Sequence, residues 1–162
     1  MHDSSYLEMS LNVDRYLYGH SQKNIIADIG SLDVNGSYKN LICPPFQYFG
    51  IDLVAGPNVD HIMLSEFNSG LPDSYAASVI CGQCLEHSSN PFLLVNEIFR
   101  ICAPGGYVLL CAPWMWPMHR YPVDCWRFLP DGMRVLIESA GGLFVKSYVN
   151  DQDCWGIGRV AS

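Results

Sequence analysis

The chain has 162 residues, a length that suits one domain, and 49% of them are apolar while only 15% are charged. This balance supports a continuous core and argues against intrinsic disorder. The net charge of −7 disfavours nucleic acid as a partner, because binding to a phosphate backbone depends on Lys and Arg.

The sequence also predicts where the protein works. No apolar run approaches the roughly 20 residues that span a bilayer, so we expect no membrane span. The first five residues, MHDSS, lack the basic and apolar regions of a signal peptide. Seven cysteines, an odd number, fit free thiols in a reducing cytosol better than a disulfide framework. We therefore predict a cytoplasmic protein.

Short apolar runs alternate along the chain with segments of helix length. A first helix is predicted over 5–18, with Leu7, Leu11 and Tyr18 among its apolar positions, as part of a short N-terminal helical extension over residues 1–22. A short, weak helix is predicted over 38–43. The predicted strands are, in chain order, 25–27 ending at Asp28, 48–52, 61–64, 77–81, 107–111, 144–149 and 156–161.

The clearest helix follows the fourth strand. Ser89 or Asn90 can cap it, and Pro91 suits its first turn. The residues on one face at helical spacing are Leu94, Ile98, Ile101 and Cys102. Another helix is predicted over 131–140. Strands that alternate with helices indicate a mainly parallel sheet, which binds ligands beyond the carboxyl ends of its strands.

The first two strands end in residues suited to a nucleoside ligand. Gly30 follows the first strand and lets the backbone approach a ligand closely, and Asp28 beside it can accept hydrogen bonds. Asp52 ends the second strand, and its two oxygens match the two hydroxyls of a ribose. Dinucleotide enzymes place an acid in the same position, and a turn glycine with a surface aspartate would give the same pattern.

Three motifs together carry a resemblance to a known family. They are Asp28-Ile29-Gly30 with Asp52, then Cys84-Leu85-Glu86-His87, then Glu97-Ile98-Phe99-Arg100 running into Pro104-Gly105-Gly106. This combination resembles the type 11 branch of class I methyltransferases, which use S-adenosylmethionine (SAM), over roughly residues 25–161. The resemblance implies a Rossmann-like α/β fold in a single domain over 1–162. Its mainly parallel seven-stranded sheet would end in an antiparallel hairpin and carry helices on both faces.

The resemblance also implies a cofactor site at the first four strand ends. Asp28, Gly30 and Ser31 would shape the methionine end of SAM, and Asp52 would hold the ribose. The other implied cofactor contacts are Leu53, Glu66 for the adenine and Gln83. The chain departs from the family in its first loop, where the middle glycines of Asp-x-Gly-x-Gly-x-Gly are missing.

The segment after the fifth strand, residues 113–128, lies where acceptors bind in this fold. It mixes aromatic rings with His, Arg and Asp, and it resembles methyltransferases found among glycan-building enzymes, which implies a sugar hydroxyl as acceptor. His119 is our candidate for the base that takes the hydroxyl proton, with His87 as the second candidate. Asp124 and Arg127 would orient the acceptor. The other predicted substrate contacts are Trp114, Trp116, Arg120 and Trp126.

Structural roles for the same residues stay open at this stage. The aromatic residues of the segment could pack the end of the sheet or form a dimer contact, and Asp124 with Arg127 could be a structural ion pair. His20 and His61 are interpreted as structural or exposed, and His2 lies near the terminus.

Other features of the sequence bear on functions outside sugar methylation. Cys81, Cys84 and His87 have a spacing that zinc sites use, but no second pair of ligands is evident, so we predict no metal. Within the methyltransferases, the acceptor could instead be another small metabolite. From other classes, the altered glycine loop fits a binding module that has lost catalysis. A nicotinamide oxidoreductase would need the Gly-x-Gly-x-x-Gly motif that the chain lacks.

Overall fold

The computed structural model describes residues 3–17 and 23–162. Its first element is α1, Asp3–Asn12, which continues as a π-helical stretch over Val13–Leu17. The helix predicted over 5–18 is thus confirmed in place but begins earlier and changes geometry. Tyr18, His2 and His20 lie outside the described residues, as do parts of the N-terminal extension predicted over 1–22.

The first helix buries a different set of side chains from those expected. Leu7 and Leu11 are 64% and 54% exposed, whereas Met9, Val13 and Leu17 are buried. The buried residues recur every four positions, so one stripe of the helix packs on the sheet while the two leucines lie off that stripe.

Seven strands form one sheet. They are β1 (Ile25–Ile29), β2 (Gln47–Asp52), β3 (His61–Ile62), β4 (Ser78–Gly82), β5 (Tyr107–Pro113), β6 (Leu143–Asn150) and β7 (Asp153–Arg159). Their spatial order is β3-β2-β1-β4-β5-β7-β6. The first five strands pair in parallel, and β7 pairs antiparallel with both β5 and β6. The predicted mainly parallel sheet with a closing antiparallel hairpin is confirmed.

Several predicted strand ends shift, each for a visible reason. Asp28 lies inside β1 rather than at its end, because its register with Gly50 continues to Ile29. The third strand is two residues long instead of four, since the backbone beyond Met63 bonds within its own turn. The last strand begins at residue 153 rather than 156, because Asp151, with φ of 54°, makes a tight turn directly before it.

Two longer helices, α2 (Pro91–Ile101) and α3 (Pro130–Ser139), follow β4 and β5. The side chain of Asn90 accepts a hydrogen bond from Leu93 N and caps α2, as the sequence predicts. Buried residues of α2 and α3 pack on one face of the sheet, and the buried stripe of α1 packs with Tyr38 on the other. The predicted covering of both faces is confirmed.

The connections near the first strands are short. The segment between β1 and β2 holds only a 3-10 turn, Lys39–Leu41, in place of the helix predicted over 38–43. Residues 53–60 join β2 to the parallel β3 without any helix. At the opposite edge, β6 has a bulge between Phe144 and Lys146. Across residues 3–17 and 23–162, no helix is long and apolar enough to span a bilayer.

We expect the packing of α2 to dominate stability on its face. Ile98 is fully buried between α2 and the sheet. Ile98→Ala should lower the free energy of unfolding by about 2–5 kcal/mol, because it leaves a cavity in a packed core. Urea unfolding followed by circular dichroism measures this loss. The control is Val135→Ala on α3, whose side chain is 50% exposed, and it should change stability by less than about 0.5 kcal/mol. Equal effects of the two variants would contradict the packing argument.

Candidate active site

The loops after β1 and β4 touch at a position that requires glycine. Gly30 has a φ of 83°, and a Cβ there would lie 2.6 Å from Cys84 Cβ. The backbone N–H groups of Gly30 and Ser31 both donate to the carbonyl of Ile51, at 2.9 and 3.2 Å. The loop after β1 is therefore held between the ends of β2 and β4, where the sequence predicts the cofactor.

Asp52 lies at the carboxyl end of β2, where its side chain organises the neighbouring backbone. Its Oδ2 accepts a hydrogen bond from Leu32 N at 2.9 Å, and its Oδ1 accepts one from Leu53 N at 2.7 Å. A carboxylate has about four acceptor positions, so two remain for ligand hydroxyls. The side chain of Leu53 is 49% exposed next to them and offers an apolar surface.

Asp28 is buried beneath the loop that follows β1. It is 3% exposed, and Oη of Tyr48 donates a hydrogen bond to its Oδ2 at 2.8 Å. Burial raises the pKa of Asp28 to about 7, opposed by the Tyr48 hydrogen bond and assisted by the charge of Asp52. Near neutral pH, Asp28 thus exchanges between a neutral and a charged form.

Gln83 and Glu66, two further predicted cofactor contacts, have protein partners. Gln83 has a φ of 58°, and its Nε2 donates to Asp153 Oδ1 at 2.8 Å. Asp153 also accepts a hydrogen bond from Oγ of Ser5 in α1. These bonds tie the end of β4 to β7 and α1.

Glu66 connects the turn after β3 to the segment before α2. Its carboxylate accepts hydrogen bonds from the hydroxyls of Ser88 and Ser89 and from the backbone N–H of Ser89. These bonds lower the pKa of Glu66, although burial opposes them. Its contact with adenine stays a prediction.

Three buried carboxyl groups surround one tyrosine at the carboxyl edge of the sheet. Asp28, Glu86 and Asp153 are at most 3% exposed, and each acts electrostatically on the hydroxyl of Tyr38. Burial and these charges together raise the pKa of Tyr38 well above its ordinary value. An edge of this composition favours a cation over an anion.

Residues 114–129, which we call the tryptophan loop, run from β5 to α3 and dock beside the 3-10 turn Leu85–His87. The backbone N–H groups of Cys125 and Trp126 donate to the carbonyl of Glu86, at 2.7 and 3.3 Å. The indole Nε1 of Trp126 donates to the carbonyl of Ser88 at 2.8 Å. These bonds bring the loop over the end of β4.

Arg127 holds the tryptophan loop in shape. Its guanidinium donates to Asp124 at 2.6 and 2.8 Å and to the carbonyls of Trp116, Pro117 and Trp126. A guanidinium has five N–H donors, and these five bonds engage all of them. Arg127 also holds the pKa of Asp124 well below its usual range. The structural ion pair that the sequence left open is thus present in this loop.

Two histidines and a glutamate meet under the tryptophan loop. Oε1 of Glu86 lies 3.6 Å from Nε2 of His87 and 3.8 Å from Nε2 of His119. The two imidazole rings are edge to face, with centroids 5.0 Å apart. We call Glu86, His87 and His119 the Glu86 cluster. The structure therefore brings together both histidines that the sequence offered as bases.

Glu86 is the member of the cluster that the sequence analysis did not select. Its side chain is fully buried, and burial raises its pKa to about 8. Its oxygens accept no hydrogen bond from another described residue. The signal was present in the Leu-Glu-His motif, but the motif alone does not show that the glutamate points inward.

The remaining predicted substrate residues line the outer surface of the loop. A shallow depression of about 540 Å³ is bordered by Trp114, Met115, Trp116, Pro117, Arg127 and Gln152. The indole N–H of Trp114 donates to the carbonyl of Asp151, which fixes the ring. Trp126 is 43% exposed and Arg120 is exposed. Apolar rings are thus presented within one loop.

The cysteines do not gather around a ligand site. All seven are free thiols, and Cys81 is fully buried at the end of β4. The Nε2 atom of His87 faces Glu86, not a thiol pair. Across the described residues, the group able to ligate a metal consists of the Glu86 cluster, without a cysteine.

The central part of the chain matches a known protein family. Residues 46–110, from just before β2 into β5, match the type 11 methyltransferase family, described as "Methyltransferase domain". No functionally curated protein matches the chain in sequence.

Solved structures resemble the chain over nearly its whole length. A SAM-dependent methyltransferase from Aquifex aeolicus is 16% identical with a TM-score of 0.69, over 98% of this chain and 94% of the other. The 1,6-didemethyltoxoflavin-N1-methyltransferase of Burkholderia thailandensis, solved with its substrate and S-adenosylhomocysteine, is 11% identical with a TM-score of 0.72, over 99% and 80%. The [4+2]-cyclase SpnF is 12% identical with a TM-score of 0.71, over 95% and 80%. At these identities the likeness establishes the fold. The chain thus has the class I methyltransferase fold, and its central segment matches the type 11 methyltransferase domain.

Proposed function

We propose that this protein is a SAM-dependent methyltransferase that methylates a hydroxyl oxygen, with a sugar or glycan as acceptor. The observation that carries the proposal is the group of buried carboxyls at the carboxyl edge of the sheet, Asp28, Glu86 and Asp153. SAM bears a positive sulfonium and an amino group, so this edge suits its charge. The family match over residues 46–110 points to the same cofactor.

The residues at the first two strand ends fit the rest of SAM. Asp52 has two acceptor positions left for the ribose hydroxyls, and the half-exposed Leu53 beside it offers a surface for the adenine. Gly30 lets the loop after β1 pass close to Cys84, where a side chain at position 30 would collide with it. In this proposal Ser31, Glu66 and Gln83 are the remaining residues that contact the cofactor.

When bound, SAM supplies a methyl group on a sulfonium that is already activated for displacement. The protein then has to align the acceptor and manage its proton. His119 is held by the tryptophan loop, 3.5 Å from Asp124 at its Nδ1 and facing Glu86 at its Nε2. We propose that His119 takes the hydroxyl proton, with His87 beside it.

The tryptophan loop supports a sugar as acceptor. Aromatic rings stack on the apolar face of a sugar, and Trp114, Trp116 and Trp126 offer such rings. All five N–H donors of Arg127 form hydrogen bonds within the tryptophan loop. We therefore assign Arg127, with Asp124, to positioning this loop rather than to binding the acceptor. Arg120 is free to approach an acceptor from the exposed side. We also propose a cytoplasmic location, in line with the seven free thiols.

A binding module without methyl transfer is the second candidate function. It is favoured by the first loop, which lacks the middle glycines of the family, and by the fold's use in a [4+2]-cyclase. Calorimetry with SAM, together with a screen of sugar acceptors for release of S-adenosylhomocysteine, separates the two. Binding with turnover supports the enzyme, and absence of SAM binding favours the module.

The first prediction concerns the ribose. Asp52→Ala should weaken SAM binding by at least about 100-fold, because it removes two charge-assisted hydrogen bonds and releases the loop from Leu32 N. Isothermal calorimetry measures the change. Asp131→Asn, an exposed aspartate on α3, serves as control and should bind like the unaltered protein. Unchanged affinity in Asp52→Ala would reject the cofactor site.

The second prediction concerns pH. A cationic ligand stabilises the charged form of Asp28, whose pKa in the free protein is about 7. SAM affinity should therefore rise as pH increases from 5.5 to about 7, by up to about tenfold per unit, and level off above about 8. In Asp28→Asn this part of the pH dependence should disappear. Binding curves across this range that coincide for the two proteins would contradict the role of Asp28.

In the protein without SAM, the contribution of Asp28 to folding stability should change with pH in the opposite direction. Because the folded state raises the pKa of Asp28 above its ordinary 3.8, folded Asp28 retains a proton that the unfolded chain has lost. Its contribution to stability therefore decreases as pH rises from about 4 to about 7. Urea unfolding of the two proteins across that range isolates this contribution and provides a check independent of SAM.

The third prediction concerns the acceptor. His119→Ala should keep SAM affinity within about twofold, because the proposed cofactor contacts lie at the ends of β1 to β4 and not in the tryptophan loop, and should lose about 100- to 10,000-fold in turnover. Release of S-adenosylhomocysteine with a responsive acceptor is the readout. Arg134→Ala, an exposed residue of α3, is the control. Turnover that survives in His119→Ala would remove this histidine from the mechanism.

A further inference from the structure

We infer that Glu86, His87 and His119 form a binding site for a divalent transition-metal ion under the tryptophan loop. One ligand atom from each residue lies within 4.8 Å of the other two. Two imidazoles and one carboxylate form the protein part of many open catalytic metal sites, and imidazole ligands favour transition metals over Mg²⁺.

The orientation of both rings supports this inference. Nδ1 of His87 lies 2.6 Å from the carbonyl oxygen of Val123. Nδ1 of His119 faces two acceptors, the carbonyl of Pro117 at 3.3 Å and Asp124 Oδ2 at 3.5 Å. We therefore assign the proton of each ring to Nδ1, because an unprotonated nitrogen would set its lone pair against the lone pairs of these oxygens. Both Nε2 atoms are left with lone pairs that face Glu86.

Two lone pairs directed at a carboxyl group suit a positive charge between them. The distances of 3.6 and 3.8 Å from Glu86 Oε1 to the two Nε2 atoms are too long for hydrogen bonds. Ligands about 2.1 Å from a tetrahedral ion lie about 3.4 Å apart, close to the two distances from Glu86 Oε1, and all three ligand atoms lie within 4.8 Å of one another. The gap therefore suits a metal ion with little movement of the side chains.

Glu86 supplies a second, independent reason. Its carboxylate is fully buried and accepts no hydrogen bond from another residue in the described ranges 3–17 and 23–162. A buried carboxyl without partners is costly, and a metal ion would satisfy it. The guanidinium of Arg127, in the tryptophan loop, does not bond to Glu86, because its donors are all engaged elsewhere.

The surroundings of the cluster resemble the outer shell of a metal site. The side chain of Asp124 is 2% exposed, is fixed by Arg127, and faces Nδ1 of His119. Carboxylates and carbonyls in this position orient histidine ligands and raise their basicity. This assigns the Asp124–Arg127 pair a purpose beyond holding the loop, since the pair sets the direction of the His119 lone pair.

The inference deepens the proposed function and rests on it only for the use of the ion, not for its binding. His87 and His119 are 18% and 36% exposed, so the remaining coordination positions are accessible from the acceptor side. An acceptor hydroxyl bound there would lose its proton more easily. With the ion present, Nε2 of His119 is a ligand and does not accept that proton.

Co²⁺ is the probe for this site, since its visible absorption reports nitrogen ligands and low coordination number. Titration of the whole protein should give a spectrum with one equivalent bound, displaced by Zn²⁺. Glu86→Gln and His119→Ala should each weaken Co²⁺ binding by at least about 100-fold. His61→Gln, which changes a histidine of β3 that contacts Ser69 O, should bind Co²⁺ normally. Thermal melts verify that each variant is folded.

The possible outcomes separate this inference from the proposed function. The metal site is overturned if Co²⁺ does not bind, or if it binds with a dissociation constant above about 1 mM. It is also overturned if Glu86→Gln and His119→Ala bind Co²⁺ as the unaltered protein does, or if the protein binds Mg²⁺ and not Co²⁺. SAM calorimetry on the same samples is scored separately. SAM binding without Co²⁺ binding leaves the methyltransferase proposal with His119 as base, whereas Co²⁺ binding without SAM binding rejects the methyltransferase and retains the metal site.

Discussion

The geometry of the candidate site depends on the close contact between the loops after β1 and β4. Gly30 reaches a left-handed conformation and lies against Cys84, where any Cβ would collide. The contact lets the first loop bond to the end of β2, and it fixes the start of the 3-10 turn that carries Glu86 and His87. One glycine thus couples the cofactor side of the sheet edge to the acceptor side.

Charge at this edge is the second theme of the structure. A folded protein normally avoids burying several acids together, because each loses its hydration. Here Asp28, Glu86 and Asp153 are buried around Tyr38, and two of them have strongly raised pKa values. Buried acids of this kind are typical of functional sites, where a bound ligand offsets their lost hydration. Both proposals for this edge involve cations, a sulfonium at Asp28 and a metal ion at Glu86.

The sequence predicted the architecture well because strong local signals coincide with it. The run from Asn90 to Gly106 contains a cap, a helical face and a stop, and the observed bounds of α2 and the start of β5 agree with it. The end of β1 was less predictable, because its register with β2 is a tertiary property. In the first helix, Leu7 and Met9 are equally apolar, and only docking decides which is buried.

The candidate site was predicted in part. Asp52 and His119 could be selected because their residue types suit a ribose and a proton, but neither pattern reveals contacts. The five bonds of Arg127 arise from the fold of a loop without regular structure, and the inward direction of Glu86 depends on the short 3-10 turn that carries it. The residue type indicates which reactions a side chain can support. Only the three-dimensional structure shows which side chains lie close enough to act together.

The bulge in β6 has a consequence for the behaviour of the molecule in solution. This strand forms the outer rim of the sheet, and its exposed Val145 and Val149 would make a regular rim adhesive. Between Phe144 and Lys146 the ladder loses its repeat, and the lysine places a charge directly beyond the irregularity. A neighbouring strand would therefore meet an edge that is interrupted at this point, which disfavours pairing along its whole length.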